Sequence, residues 1–349
     1  MINKNKLNIV IVGTTNRRAA QYISIMKEMA NVIDVIESIP VETESLYEKI
    51  RYKLGYHYDK NSLNKRLIDI VQTNKIDIIF DFKSLVLNQK TIIKINSISK
   101  GTMIAFFSED DMIQKHNNSK YFLESISYYD VIFTTKSYNV KELSELGARR
   151  VIFQNKSYDK TYHKPIKLSV EENDVFAADV SFVGTFEIER ASIMLKLAQK
   201  GIKIVIWGNG WQDWTTKHQN LNIKNKAVYG DDFIKLICAT KINLSFLRKA
   251  NRDLQTDRSV EIPACKGFLL TERTDEHLVL FEEGKEAEYF DIENIDELEN
   301  KIKYYLKNDK KRLIIAENGY QRCISSNYSH QDKIKLMLEN ISETKESIL

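Results

Sequence analysis

Of 349 residues, only three are prolines, three are cysteines and twelve are glycines. So few prolines and glycines exclude a Gly/Ser or Pro-rich linker and a collagen-like repeat. The cysteines (Cys238, Cys265 and Cys323) are odd in number and widely spaced. They fit neither a disulfide framework nor a zinc site, and no histidine stands at metal-binding spacing from them. Reduced core thiols in a cytoplasmic compartment are expected. No apolar run approaches the ~18 residues of a membrane-spanning helix. The run 7–13 is too short for a secretory signal and lacks a small-residue cleavage site, so it reads as a buried first strand. Neither a 20–50-residue repeat nor a low-complexity tract is present.

What is there is ordinary for a folded protein: 43% hydrophobic and 29% charged residues, enough for roughly two domains at about 150 residues each. The net charge of +4 hides an asymmetry. Residues 1–165 carry 25 lysines and arginines against 18 acids, an excess of +7, whereas residues 166–349 carry 27 against 30, or −3. A basic half favours an anionic partner such as an acidic lipid surface, a phosphorylated acceptor or nucleic acid; a lysine-rich solvated face is the alternative. No RNP, helix-turn-helix or zinc pattern supports nucleic acid, and none is expected as a partner.

Short β-branched runs alternate with helical stretches. Strands are expected at 8–12, 32–36, 76–80, 102–107, 131–134 and 151–153, with helices at 17–29 and 63–72. The stretch 155–178, with Pro165, lacks periodicity and reads as a connection. The pattern then restarts with strands at 180–183, 203–207, 242–246 and 268–270. Helices follow at 187–200, 231–240, 260–264, 295–307, 310–325 and 331–341. Such alternation indicates α/β architecture with parallel sheets, whose ligands sit beyond the carboxyl ends of the strands. The domains expected are 1–165, 166–330 and a C-terminal helix within 331–349 that packs back on the first.

The second half carries the informative motifs. They are Ser181-Phe182-Val183-Gly184-Thr185-Phe186-Glu187-Ile188-Glu189-Arg190, Trp207-Gly208-Asn209-Gly210-Trp211 and Tyr229-Gly230-Asp231-Asp232-Phe233. The longest is the block R-x-x-E-I-x-A-C-x-G-F-L-L-T-E-R, running from Arg258 through Glu261 to Arg273. No Ser-His-Asp or Cys-His spacing marks a protein nucleophile. This ordered series resembles the C-terminal domain of the CgeB-like glycosyltransferases, relatives of the large retaining GT-B family that uses nucleotide-sugars. The resemblance is specific over 180–330. It is loose in the first half, at Ser108 to Asp111 and Tyr158 to Pro165, and Met112 follows Asp111 where the family often has proline.

The resemblance implies a GT-B fold, with two Rossmann-like βαβ domains facing an inter-domain cleft. It implies transfer of a sugar from a nucleotide-sugar donor to a glycan, lipid-linked or protein acceptor, with retention of configuration, and neither metal nor cofactor. Peripheral contact with an anionic membrane at its inner face fits the basic first half. A non-catalytic nucleotide-sugar-binding or scaffold protein is the alternative.

The catalytic residues implied are Arg190, Arg258 and Glu261. Glu261 would accept hydrogen bonds from the ribose diol, for which a carboxylate has two acceptor oxygens. The arginines would offset diphosphate charge. Gly184 and Thr185, at a strand end opening a helix, would offer N–H groups to phosphate. Gly208, Asn209, Gly210 and Tyr229 complete the donor side. Trp211 reads equally as core or as a stacking wall, and His116 and His163 as bland surface or core residues. An earlier acid common in the family falls on Asp253. On the acceptor side stand Gly13, Thr14, Asp110 and Asp111; the last two read also as a helix cap or, more weakly, a metal pair.

Overall fold

In the computed structural model, which describes residues 6–15, 17–38 and 45–348, the chain divides into two compact units. The first is Met1–Asn155 with His330–Leu349; the second is Lys156–Ser329. No helix among the described residues is long and apolar enough to cross a membrane.

The first unit is built on six parallel strands: β1 (Asn8–Gly13), β2 (Asn31–Glu37), β3 (Ile78–Phe82), β4 (Met103–Ser108), β5 (Val131–Thr134) and β6 (Val151–Phe153). Their order is β2-β1-β3-β4-β5-β6. Side chains alternate across a strand, and both faces here are apolar, as a covered parallel sheet requires. Val10, Val12, Ile79 and Ile104 pack on helices Leu63–Thr73 and Gln89–Ile98. Ile9, Ile11, Ile78 and Phe80 pack on helices Arg17–Met29 and His330–Ile348. The last helix presents Ile334, Met337 and Ile341, spaced three and four residues apart on one face, to this core.

The second unit repeats the plan with β7 (Ala178–Val183), β8 (Ile204–Trp207), β9 (Leu221–Ile223), β10 (Thr240–Ser245), β11 (Leu269–Glu272) and β12 (Glu288–Phe290). The order is β12-β11-β10-β7-β8-β9, again all parallel. Helices Ile188–Gln199 and Ile295–Lys307 cover one face, and Gly230–Ala239 and Arg258–Ala264 the other. In each sheet the chain works outward in one direction and then returns to grow in the other. The reversal lies between β1 and β3 in the first unit, and between β7 and β10 in the second. Ligand crevices of open α/β sheets form at such points.

Three expectations need correction. The unit boundary falls at 155/156, because the Lys156 N–H donates to Gln255 Oε1 (2.9 Å) and the Tyr158 N–H to the Tyr328 carbonyl (3.1 Å), both within the second unit. The stretch read as an irregular connection contains a helix, Val170–Phe176, started by a capping box between Ser169 and Glu172. The charge asymmetry also shrinks. With residues 156–165 counted in the second unit and the C-terminal helix in the first, the first unit has 25 basic residues against 21 acidic and the second 27 against 27.

β3 runs two residues further than expected and carries Asp81 into the core, where burial raises its pKa to about 6 despite hydrogen bonds from the Ser84 N–H, the Tyr129 hydroxyl and the Ser84 hydroxyl. The ordinary value is 3.8. The folded state therefore holds this proton more tightly than the unfolded state. The stability it contributes is complete below about pH 4 and is lost as pH rises through about 6, by up to about 3 kcal/mol. The Tm advantage of Asp81→Asn over the native chain should accordingly be larger at pH 7 than at pH 4. A difference between the two that does not change with pH would show that Asp81 does not titrate in this window.

Candidate functional site

The second unit gathers most of the expected residues at the carboxyl ends of its central strands. β7 ends in Gly184-Thr185 and β8 in Gly208-Asn209-Gly210, and these two loops are stitched together. The Gly184 N–H donates to the Trp207 carbonyl (2.9 Å), the Phe186 N–H to the Asn209 carbonyl (2.9 Å), and Trp211 Nε1 to the Gly184 carbonyl (2.9 Å). A methyl group at Gly208 would lie 1.8 Å from the Gly184 carbonyl oxygen, so the approach requires glycine. Trp211 is buried among Phe182, Phe186 and Trp214, which settles it as core. Gly184 does not present the free N–H that was expected. Its donor is spent on the neighbouring loop, and the helix begins only at Ile188, with Glu187 at its cap.

Arg190, in the first turn of that helix, is buried. Its guanidinium donates to the Thr185 carbonyl (3.3 Å), to Glu187 (2.9 Å) and to the Leu247 carbonyl (3.2 Å). It thus bridges the segments following β7 and β10, across the point where strand order reverses. Burial lowers its pKa from the usual arginine value, with Glu187 opposing; it stays a cation. The Leu247 N–H in turn donates to Glu272 (2.7 Å) at the end of β11, a carboxyl whose pKa burial raises. Asp253 adds to the negative field around Arg190 and accepts from Asn251 (2.8 Å).

Glu261 lies on the helix Arg258–Ala264 that links β10 to β11. Its carboxylate is buried and paired with Arg258 one turn earlier. The Arg258 guanidinium rests 4.1 Å above the Phe233 ring. His163 faces the same carboxylate, with Nε2 3.7 Å from Glu261 Oε1. The Asp159 N–H donates to His163 Nδ1 (3.0 Å), which puts the ring proton on Nε2, toward Glu261. Sequence reading had set His163 aside; only the fold brings it ninety-eight positions back to the motif. Tyr229 stands exposed at the cap of helix Gly230–Ala239, which supplies Phe233.

A buried polar scaffold holds this motif from below. His277 Nδ1 faces the Glu272 carbonyl (2.7 Å), which can only accept, so Nε2 accepts from the Ser259 hydroxyl at 2.7 Å. Burial lowers the His277 pKa to about 4, keeping the ring neutral at pH 7. Gln255 donates to Glu276 (2.8 Å) and accepts from the Lys156 N–H. The Ser259–His277 pair is enclosed, and its chemistry is that of a structural hydrogen bond.

In the first unit the β1/β3 reversal opens into a cavity of about 330 Å³ lined by Thr14, Arg18, Tyr22, Lys83, Glu109 and Asp110, among others. Arg18 and Tyr22 bond Glu109 (3.0 and 3.2 Å), and Lys83 pairs with Asp110 (2.6 Å). Gly13 has φ +118° and its Cβ would fall 2.3 Å from the Phe82 carbonyl oxygen, so it sets the wall without lining the space. Asp111 corrects the expectation of an acceptor contact: it is fully buried, accepting from Asn139 (3.0 Å) and from the Ile113 N–H (3.1 Å) as a turn cap. Among the described residues no group of three His, Cys, Asp or Glu is placed to hold a metal ion.

A family model described as glycosyl transferase-like matches residues 190–339. No curated protein matches the sequence significantly. Solved structures do match along the whole chain. HepE of Anabaena, in complex with UDP and glucose, has a TM-score of 0.64 at 14% identity, covering 97% of this chain and all of that one. A glycosyltransferase from Rickettsia africae reaches 0.68 at 12%, covering 98% and 99%. Sucrose-phosphate synthase from Thermosynechococcus elongatus reaches 0.65 at 8%, covering 98% and 100%. The fold is GT-B. In this GT-B chain the family match opens at Arg190 and spans Arg258, Glu261 and Arg273.

Gly208→Ala tests the stitched loops. Overpacking against a backbone carbonyl should cost at least about 1–3 kcal/mol, or roughly 2–4 °C in Tm for each. Gly101→Ala, where nothing lies within 4 Å, should leave Tm almost unchanged. Equal melting of the two variants would refute the close approach.

Proposed function

We propose that the chain is a nucleotide-sugar-dependent glycosyltransferase whose second unit holds the donor. The observation that carries this reading is the Glu261 carboxylate. It is buried, fixed by Arg258 over Phe233 and faced by His163, on the helix following the β7/β10 reversal of a GT-B fold. A carboxylate so held suits two ribose hydroxyls. HepE, similar in fold, was solved with UDP and glucose, and a UDP-sugar is the donor class we assign. The CgeB-like block around Glu261 supports the same reading.

Arg258, whose side chain is 30% exposed, keeps a solvent-facing edge for the diphosphate. Arg190 acts differently from the direct diphosphate contact of the sequence reading. Its buried charge lies under the Gly184-Thr185 loop and fixes the crevice, so its field meets the leaving group without a donor contact being required. The leaving diphosphate oxygen takes the acceptor proton on the same sugar face, which gives retention. The protein supplies positioning and charge stabilisation, with no nucleophile of its own and no metal or cofactor. The acceptor, a glycan, lipid-linked saccharide or protein, is assigned to the first unit at Thr14, Lys83 and Asp110. Location is cytoplasmic, with peripheral contact at the inner membrane face.

Steady-state kinetics with a UDP-sugar panel test this. Native enzyme should hydrolyse or transfer from at least one donor. Arg258→Ala should lower kcat by roughly 100-fold or more while KM moves less, because the charge it meets grows in the transition state. A loss confined to KM would make Arg258 a ground-state binder. UDP binding with no turnover of any donor would favour the non-catalytic alternative.

A further inference from the structure

The helix Leu46–Lys53 in the first unit buries none of its residues. Leu46 is 75% exposed, Tyr47 65%, Ile50 50% and Leu54, just past the helix, 60%. Positions 46, 50 and 54 recur every four residues, so they lie along one helical face, with Tyr47 beside them. A stripe of this kind normally meets the core; here it faces water. The same turns carry Lys49, Arg51 and Lys53 against a single acid, Glu48. Arg51 is held among tyrosines, 5.8 and 5.9 Å from the Tyr47 and Tyr56 ring centres and bonded to the Tyr121 hydroxyl at 2.7 Å.

Beside this helix lies a second cavity, of about 690 Å³. Its walls combine the apolar Leu54, Ile113 and Leu123 with the lysines Lys53, Lys115 and Lys120, and among the described residues no carboxylate lines it. Apolar walls rimmed by three cations, with no carboxylate among the described lining residues, are complementary to an anionic amphiphile. The exposed leucines, isoleucine and tyrosine beside them have the composition of a helix lying in a bilayer interface.

We propose that this face of the first unit docks on a bilayer containing anionic lipid. The apolar stripe of 46–54 enters the interface, and Lys53, Lys115 and Lys120 take a lipid phosphate in the adjoining cavity. This gives the membrane contact of the proposed function a location, and rests on that reading only for its biological setting. Basic residues near an anionic leaflet are worth about fivefold each, so three together amount to roughly 100-fold.

Vesicle flotation at low salt, without donor or acceptor, tests it. The full chain should float with phosphatidylcholine vesicles containing phosphatidylglycerol and stay behind with phosphatidylcholine alone. The variant Lys53→Gln/Lys115→Gln/Lys120→Gln should bind roughly 100-fold more weakly. Leu46→Ser/Ile50→Ser/Leu54→Ser should leave only a weak association that physiological salt removes. Both variants should keep the native thermal response to UDP, which reports a folded second unit, and native circular dichroism reports the first. Failure of the native chain to float, or undiminished floating of the lysine variant, would overturn the proposal. So would a native dimer that the serine variant dissociates without any vesicle binding, since the face would then be a protein interface. Vesicle binding with no response to UDP would instead sink the donor assignment and leave the docking surface intact.

Discussion

The architecture at the carboxyl ends of β7 and β8 depends on a backbone approach that no side chain permits. The Gly184 carbonyl sits where a Cβ at 208 would be, and accepts the indole N–H of Trp211. Because the loops after β7 and β8 close on each other there, Phe182, Phe186, Trp211 and Trp214 form one aromatic floor beneath them. Arg190 then ties the first of these loops to the segment after β10 through two carbonyls. The crevice is thus preset by bonds among its own walls. For the reaction proposed, a site set in this way spends little on reorganisation when charge develops in it.

The same economy governs the motif that follows. Glu261 is offered to the crevice by a helix of only seven residues, too short to be stable by itself. Its rigidity comes from below. Ser259 is bonded to a neutral His277, and Gln255 is clamped between the Lys156 N–H and Glu276. Fully satisfied buried polar groups of this kind specify one arrangement, because every alternative leaves a donor or acceptor unmade. From above, Arg258 is steadied on Phe233 and His163 closes on the carboxylate.

Local pattern revealed much of this and missed the rest for identifiable reasons. Strands Val131–Thr134 and Val151–Phe153 and helices Arg17–Met29 and Ile295–Lys307 fall where periodicity places them, since both sheets are covered and their strands are plain apolar runs. The three-residue strands β9 and β12 were missed because Leu221-Asn222-Ile223 has a polar centre and Glu288-Tyr289-Phe290 opens on an acid, so neither is the apolar run that marks Val151–Phe153. The helix Leu46–Lys53 was missed because only Leu46 and Ile50 mark its face among charged and tyrosine residues. At the site, Gly184, Arg190 and Glu261 were legible as a motif, but their partners were not. Arg190 read as a diphosphate cation without its structural bonds, because its carbonyl partner at Leu247 lies 57 residues away. His163 carried no local signal, and Asp111, which looks like a ligand in sequence, is a cap for a turn. The domain charges misled mainly because the lysine-rich stretch 156–165 belongs to the second unit.

Everything assigned to the donor side turns on whether the Glu261 carboxylate recognises a ribose diol. The direct measurement is calorimetric titration of UDP and of 2′,3′-dideoxy-UDP into the native chain and into Glu261→Ala. Charge-assisted hydrogen bonds of about 1.5–3 kcal/mol each require the native chain to bind UDP more tightly than the dideoxy analogue by at least roughly tenfold. Folded Glu261→Ala should bind the two alike, at about the native affinity for the analogue. Discrimination that survives in Glu261→Ala, or a native chain that binds both nucleotides equally, would contradict the assignment.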